Sequence, residues 1–95
     1  MNNSATNLQP RLNVRPGDFV RLRGWPLTAF YKVVVNANGI TPKRARLMEA
    51  WGAFLGANMA HHIENGTSVN ILGLGFKISG DATGKSCEIA KLEEN

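Results

Sequence analysis

Apolar and polar residues alternate in two short runs near the N-terminus, residues 12–15 and 20–23. This period of two is typical of strands with one buried face. Pro16-Gly17-Asp18, between the runs, has the composition of a turn. The pattern predicts an N-terminal β-hairpin, and its polar face would carry Arg15, Arg21 and Arg23.

The middle of the chain has helical spacing instead. Residues 26–38 start at a proline, carry apolar residues at i, i+3, i+4 and i+7, and stop before Gly39, which predicts a first helix. The β-branched run Val33-Val34-Val35 favours a strand at the same place. A second, long helix is predicted from the N-cap Thr41 to Asn65-Gly66.

An apolar stripe follows the second helix over about six turns. A stripe of this length on a short chain predicts that a partner helix or a second subunit covers it. Its members are Leu47, Met48, Trp51, Phe54, Leu55, Met59 and Ile63.

Short β-rich runs separated by glycine-containing turns follow Gly66, and residues 68–72, 76–78 and 86–92 are predicted as strands. The predicted fold class is α+β, with an N-terminal β-hairpin, two helices of which the second is long, and a C-terminal three-stranded antiparallel meander. Residues 1–10 are polar and lack periodicity, so we expect a disordered tail before a single domain of residues 11–95.

Composition limits the class of protein. The single cysteine, Cys87, excludes an internal disulfide framework and fits a reducing compartment. Since no apolar run approaches the ~20 residues of a membrane span, a soluble cytoplasmic protein is expected.

Charge is uneven along the chain. Residues 1–46 carry eight Lys and Arg against Asp18 alone, whereas residues 47–95 carry three Lys against six acidic residues. This asymmetry predicts contact with a polyanion or an acidic protein surface, the alternative being a solvated basic face. At the start of the predicted second helix, Lys43, Arg44 and Arg46 oppose the helix dipole, which a bound phosphate would offset.

Motifs for catalysis and metal binding are weak. Gly73-x-Gly75 lacks the third glycine of a dinucleotide fingerprint, and Gly84-Lys85-Ser86 lacks the first glycine of a phosphate loop. On a helix, the adjacent His61 and His62 point about 100° apart and would not chelate one metal together. The sequence predicts a protein that is not an enzyme, with no catalytic residue, no cofactor and no metal site.

Five motifs, in this order, resemble the HU/IHF family of histone-like DNA-binding proteins over roughly residues 27–91. The resemblance implies an HU-like homodimer that binds double-stranded DNA. It places Leu47, Trp51, Phe54, Leu55 and Phe76 at the dimer interface. The motifs are Gly39-Ile40-Thr41, the helical stretch from Lys43 to Ile63, Gly66-Thr67-Ser68-Val69, Gly73-Leu74-Gly75-Phe76 and Thr83-Gly84-Lys85.

The chain departs from this family in several places. Phe76 follows Gly75 directly, whereas the family has one residue between them. The family's long DNA-binding arms would lie between Phe76 and Thr83, where this chain has six residues and no proline. Bending of DNA by a proline wedge is therefore not expected. The family's last helix is also missing and the hairpin is additional, which implies an armless or divergent relative.

Two functions are compatible with these patterns. The first is a nucleoid-associated histone-like dimer that binds DNA through phosphates with little sequence preference. The second is a small phage-type regulator or inhibitor that binds a host protein of the nucleic-acid machinery at an acidic surface. The residues expected to contact nucleic acid are Arg11, Arg15, Arg21, Arg23, Lys43, Arg44, Arg46, Lys77 and Lys85.

Overall fold

The computed structural model describes residues 11–55 and 60–93, and for residues 53–55 it describes the backbone alone. This part of the chain contains eight strands and one helix. They are β1 (Leu12–Val14), β2 (Phe19–Leu22), β3 (Tyr31–Asn36), β4 (Gly39–Arg44), α1 (Leu47–Leu55), β5 (Ala60–Ile63), β6 (Thr67–Ile71), β7 (Leu74–Gly80) and β8 (Cys87–Lys91).

The strands form two four-stranded sheets. The first has the order β1-β6-β7-β8 and the second the order β4-β3-β2-β5. The pairs β1/β6 and β2/β5 are parallel, and all the other pairs are antiparallel. Neither β1 nor β5 pairs with the strand that follows it in the chain, so each of these two strands joins the opposite sheet.

The two sheets are built from two copies of one four-strand unit, β1–β4 and β5–β8. In each copy the first strand pairs in parallel with the second strand of the other copy. The register is equivalent in both, since Val14 opposes Ile71 in one pair and Ile63 opposes Leu22 in the other. Residues 13–24 align without a gap on residues 62–73, and the matches include Val14 with Ile63, Gly17 with Gly66, Val20 with Val69, Leu22 with Ile71 and Gly24 with Gly73.

The turn after the first strand is also duplicated. The N–H of Gly17 donates to the carbonyl of Val33 at 2.7 Å, and the N–H of Gly66 donates to that of Ile78 at 3.0 Å. Both glycines have positive φ, 95° and 84°, which residues with a Cβ adopt only at a cost. Because Val33 and Ile78 are equivalent positions of the third strands, the topology has an internal pseudo-two-fold relation.

The main core lies between the sheets and draws on equivalent positions of both copies. Leu22, Val33, Ile71 and Ile78 are each no more than 1% exposed. Trp25 belongs to the same core, and its ring meets that of Tyr31 edge to face at a centroid distance of 5.8 Å. A smaller cluster under α1 consists of Phe19, Phe30, Ala45 and Ala50.

The predicted helix at residues 26–38 is wrong, because this segment contains β3. Tyr31 and Val33 are buried while Lys32 and Val34 between them are partly exposed, which is the period of a strand. The β-branched valines therefore outweigh the coincidental helical spacing. Asn36 pairs with Gly39 across a two-residue turn, so the residues interpreted as a helix stop form a hairpin turn.

The predicted long helix is also wrong, since among the described residues of this stretch only Leu47–Leu55 is helical. Gly39–Arg44 forms β4, an edge strand that pairs only with β3 and therefore tolerates Pro42. Ala60–Ile63 forms β5, whose pairing with β2 spans about 40 residues of sequence and is not visible in any local pattern.

The predicted N-terminal hairpin is wrong as well, because β1 and β2 lie in different sheets. Without two helices, the α+β HU-like body is overturned and the chain is mostly β. The three C-terminal strands do pair antiparallel in the order β6-β7-β8. Leu72 and Gly73 both have positive φ, 56° and 79°, so the glycine-containing kink is a tight hairpin turn.

The duplication predicts matched losses of stability. Leu22→Ala and Ile71→Ala each remove a fully buried side chain from equivalent positions, so each should lower the free energy of unfolding by about 2–5 kcal/mol. Urea unfolding measures this. As a control, Leu72→Ala, at a residue that is 62% exposed, should change the free energy of unfolding by less than about 0.5 kcal/mol. Tolerance of either core substitution would contradict the equivalence of the two copies.

Candidate binding surface

An exposed apolar groove lies between the β2–β3 loop and α1. Its volume is about 360 Å³. Met48 is 88% exposed and Leu27 67%, and Leu47 and Trp51 are each 46% exposed. The groove is lined by Leu27, Thr28, Leu47, Met48 and Trp51, and large apolar side chains clustered in this way mark interaction sites.

The groove exists because α1 packs against the second sheet through its small residues. Ala50 is fully buried in the cluster with Phe19 and Phe30, while Met48 and Trp51 are exposed. A surface helix ordinarily turns its large apolar residues toward the core. Over residues 47–52 this helix does the reverse, so its apolar side faces outward.

Arg44 connects the groove to the neighbouring loop. Its Nη2 donates to the carbonyl of Thr28 at 3.2 Å, and its Nη1 donates to that of Gly84 at 3.1 Å. The hydroxyl of Tyr31 is a third partner at 3.3 Å. All three acceptors are neutral, so they orient the guanidinium without neutralising its charge.

We use the name basic rim for Arg44 together with the cations that are near it in the chain or in the loop to which it donates, namely Lys43, Arg44, Arg46 and Lys85. Lys43 and Arg46 lie within two residues of Arg44 in the chain. Lys85 follows Gly84, whose carbonyl accepts a hydrogen bond from Arg44. The exposed side-chain nitrogens of Lys43, Arg46 and Lys85 have no hydrogen bond or ion pair with any described residue. Lys32 lies opposite Lys43, but it is paired with Glu49 at 3.3 Å.

The loop that carries Lys85 is held by Asp81. This carboxylate accepts hydrogen bonds from the N–H of Thr83 at 2.9 Å and the hydroxyl of Ser86 at 2.7 Å. Hydrogen bonds, that of the Thr83 hydroxyl first, hold the pKa of Asp81 well below its ordinary value. Tyr31 donates its hydroxyl to the Gly84 carbonyl at 3.1 Å, so the loop is fixed against β3.

Three of the predicted nucleic-acid contacts lie apart from this rim. Lys77 is exposed on the first sheet, and the Arg11 guanidinium lies over Gly75 of the same sheet, where a side chain would clash with it. Arg15 is exposed in the β1–β2 turn, where its N–H donates to Oδ2 of Asp18 at 2.9 Å.

Arg21 and Arg23 form a separate cluster with β5. Arg21 donates to the carbonyl of Trp25, and Arg23 is paired with Glu64 at 3.2 Å. His62 lies opposite Arg21 in the parallel ladder. Burial, followed by the charges of Arg21 and Arg23, lowers the pKa of His62. These two arginines therefore have partners within the fold.

The residues predicted at a dimer interface are in different environments. Leu47 and Trp51 are exposed in the groove, whereas Phe76 is 7% exposed and lies in the core of the chain itself. The side chains of Phe54 and Leu55 lie outside the described residues. The homodimer stays a prediction.

The groups with nucleophilic or metal-binding chemistry are engaged elsewhere. Burial raises the pKa of the Cys87 thiol to about 11, with Glu88 contributing, so the thiol is protonated at neutral pH. The Nε2 of His61 lies 3.0 Å from the Oδ2 of Asp18, a buried carboxylate that also accepts the N–H of Arg15. No group of three His, Cys, Asp or Glu within the described ranges could hold a metal ion.

Sequence reasoning missed the groove because it placed Met48 and Trp51 on a covered helix face and Leu27 inside another helix. The signal present in the sequence was the spacing of the alanines. Ala45, just before α1, and Ala50, within α1, are small residues that are buried in the cluster under the helix.

The cluster of Arg21, Arg23 and His62 predicts a pH effect. Since the folded state disfavours protonated His62, the free energy of unfolding should decrease as the pH falls from about 6.5 toward the lowered pKa. Proton NMR should show His62 titrating below 6.5. Arg23→Gln should raise this pKa toward its ordinary value, and Arg15→Gln should leave it unchanged. A His62 that titrates at or above 6.5 in the unmodified protein would contradict the assigned environment.

Comparison of the chain with protein-family models, with curated proteins and with solved structures finds no match in any of the three. Within residues 11–55 and 60–93, the structure contains no helix with the length and apolar character needed to cross a membrane. The candidate function therefore follows from the groove and its basic rim.

Proposed function

We propose that the protein is a non-catalytic nucleic-acid-binding module, with the basic rim as its phosphate-contacting surface. One observation carries this proposal. The same four-strand unit is built twice in one chain, and only the first copy is strongly basic.

Comparison of equivalent positions in the two copies distinguishes the residues that the fold requires from those that it does not require. Residues 11–44 contain seven Lys and Arg and one acidic residue, whereas residues 60–92 contain three Lys and three acidic residues. The register makes Lys43 equivalent to Ala90, because they oppose the equivalent residues Lys32 and Lys77. A strand therefore forms at this position without a cation, and the charge of Lys43 serves something other than the framework.

The ion pairs reduce the set of basic residues that are available to contact phosphate. Arg23 and Lys32 are each paired with a glutamate, which reduces what they can offer to a phosphate. The rim residues have no acidic partner in the described part of the chain. Lysine and arginine at such positions bind phosphates by displacing condensed counterions, and this binding is steeply salt-dependent and nearly independent of sequence.

An acidic protein surface is a second candidate partner. The observation that favours it is the apolar groove beside the rim, because exposed apolar side chains are common at protein interfaces. Such a partner would place its carboxylates on the same four cations.

Two charge-matched double variants test the nucleic-acid proposal. Lys43→Gln with Lys85→Gln removes two rim charges, whereas Lys77→Gln with Lys91→Gln removes two exposed lysines of the second copy. The measurement is the affinity for a fluorescent oligonucleotide between ~50 and ~200 mM salt. The rim variant should bind more weakly, and its plot of log K against log salt should be less steep by about 2.

The control variant should bind nearly as well as the unmodified protein, since its lysines lie outside the rim. Equal losses in the two doubles would show that net charge alone matters and would contradict the assigned surface. Failure of the unmodified protein to bind at ~50 mM salt would refute the proposed function, because several phosphate contacts are strong there.

A further inference from the structure

We infer that the groove between the β2–β3 loop and α1 holds one unpaired nucleobase, which makes single-stranded nucleic acid the ligand class of this protein. This inference rests on the proposed function and adds what the rim alone does not specify, namely the strandedness of the ligand.

The aromatic ring of Trp51 supplies the stacking face. Trp51 is 46% exposed at the groove, in contrast to Trp25, which is 5% exposed in the core. Met48 and Leu27 form further apolar walls. Bases stack on aromatic side chains without regard to sequence because every base has a π-face. In a duplex this face is already occupied by the neighbouring base pairs, so a strand must be unpaired to use Trp51.

The dimensions of the groove suit one planar group. Its helical side is a single turn of α1, made by Leu47, Met48 and Trp51. An amphipathic helix docks through anchors at i, i+3 or i+4 and i+7, which extend over about 10 Å. The described part of the lining, one turn of α1 and two loop residues, is shorter than that. A volume of about 360 Å³ accommodates a base whose polar edge remains at the open side.

The polarity of the lining also favours a base over a peptide. Among the described residues that line the groove, Thr28 is the one polar residue. A peptide backbone that entered would leave buried N–H and C=O groups without partners, which is costly. A stacked base needs no hydrogen bond from its face.

The rim is placed for the phosphates on either side of such a base. Arg44 touches both the groove and the Asp81 loop, through the carbonyls of Thr28 and Gly84. Lys43 precedes Arg44 on β4 and Lys85 follows Gly84 on that loop, and both lysines are exposed. Each contact between a Lys or Arg and a phosphate of the strand releases a counterion, and this release favours binding. An exposed ion pair between the same cations and the carboxylates of a protein contributes little to the binding free energy.

Tryptophan fluorescence of the full chain tests the inference, with an oligo(dT) of about 12 nucleotides and a mixed-sequence duplex of equal length as probes. Oligo(dT) should quench the emission of Trp51, and Trp51→Leu should abolish the quench and weaken oligo(dT) binding by about 5- to 150-fold. Trp51→Phe should retain most of the affinity, because it keeps an aromatic face. Duplex binding should be weaker than oligo(dT) binding and should not change in Trp51→Leu.

Two controls keep the result interpretable. Val35→Ala removes an apolar side chain that is 47% exposed outside the groove and should leave all binding unchanged. Urea unfolding of Trp51→Leu should match that of the unmodified protein, since Trp51 lies at the surface.

Several outcomes would overturn the inference. One is a Trp51→Leu variant that binds oligo(dT) as tightly as the unmodified protein. Another is salt-dependent duplex binding through Lys43 and Lys85 with no quench by oligo(dT), and this result would leave the proposed function standing. Quenching by an acidic amphipathic peptide but not by oligo(dT) would assign the groove to a protein. If neither oligonucleotide binds at ~50 mM salt, the proposed function fails together with the inference.

Discussion

The reciprocal parallel pairing of β1 with β6 and of β5 with β2 is the interaction on which the rest of the structure depends. Each copy of the four-strand unit gives its first strand to the sheet of the other copy, so neither sheet is complete alone. The same exchange brings Val14 and Ile63 into the core between the sheets. Because these contacts join residues far apart in sequence, the loop-closure entropy is large and must be offset by core burial.

The two outer sheet faces differ because equivalent positions of the two copies carry different residues. On the second sheet Phe19 and Phe30 form an apolar surface that α1 covers through Ala50. The equivalent positions of the first sheet are Ser68 and Gly75, so that face is polar and needs no cover. A helix that meets a sheet through alanines places its larger apolar side chains on the opposite side. The groove is thus a consequence of how α1 is seated, and the fold itself does not require its exposed leucine, methionine and tryptophan.

Sequence patterns predicted the local features and missed the long-range ones. The strands β6, β7 and β8 were visible because hairpin turns and alternation are local, as at Leu72-Gly73. The parallel pairs were not visible, since no short window contains both partners. Val34 shows the same limit, because its helical spacing and its β-branching conflicted and pairing with β4 decided between them. Of the predicted basic residues, Arg44 on β4 is joined to the loop of Lys85 through the Gly84 carbonyl, while the pairing of Arg23 with Glu64 required the β2/β5 ladder.

The groove and its rim together are the proposed binding surface of this protein. Amide NMR of the labelled chain during addition of oligo(dT) tests it most directly, because each backbone N–H reports its own surroundings. Chemical shifts should change at Thr28, from Lys43 to Trp51 and at Lys85, and those of the outer face of the first sheet should stay the same. Changes confined to that face, around Asn13, Asn70 and Lys77, would contradict it.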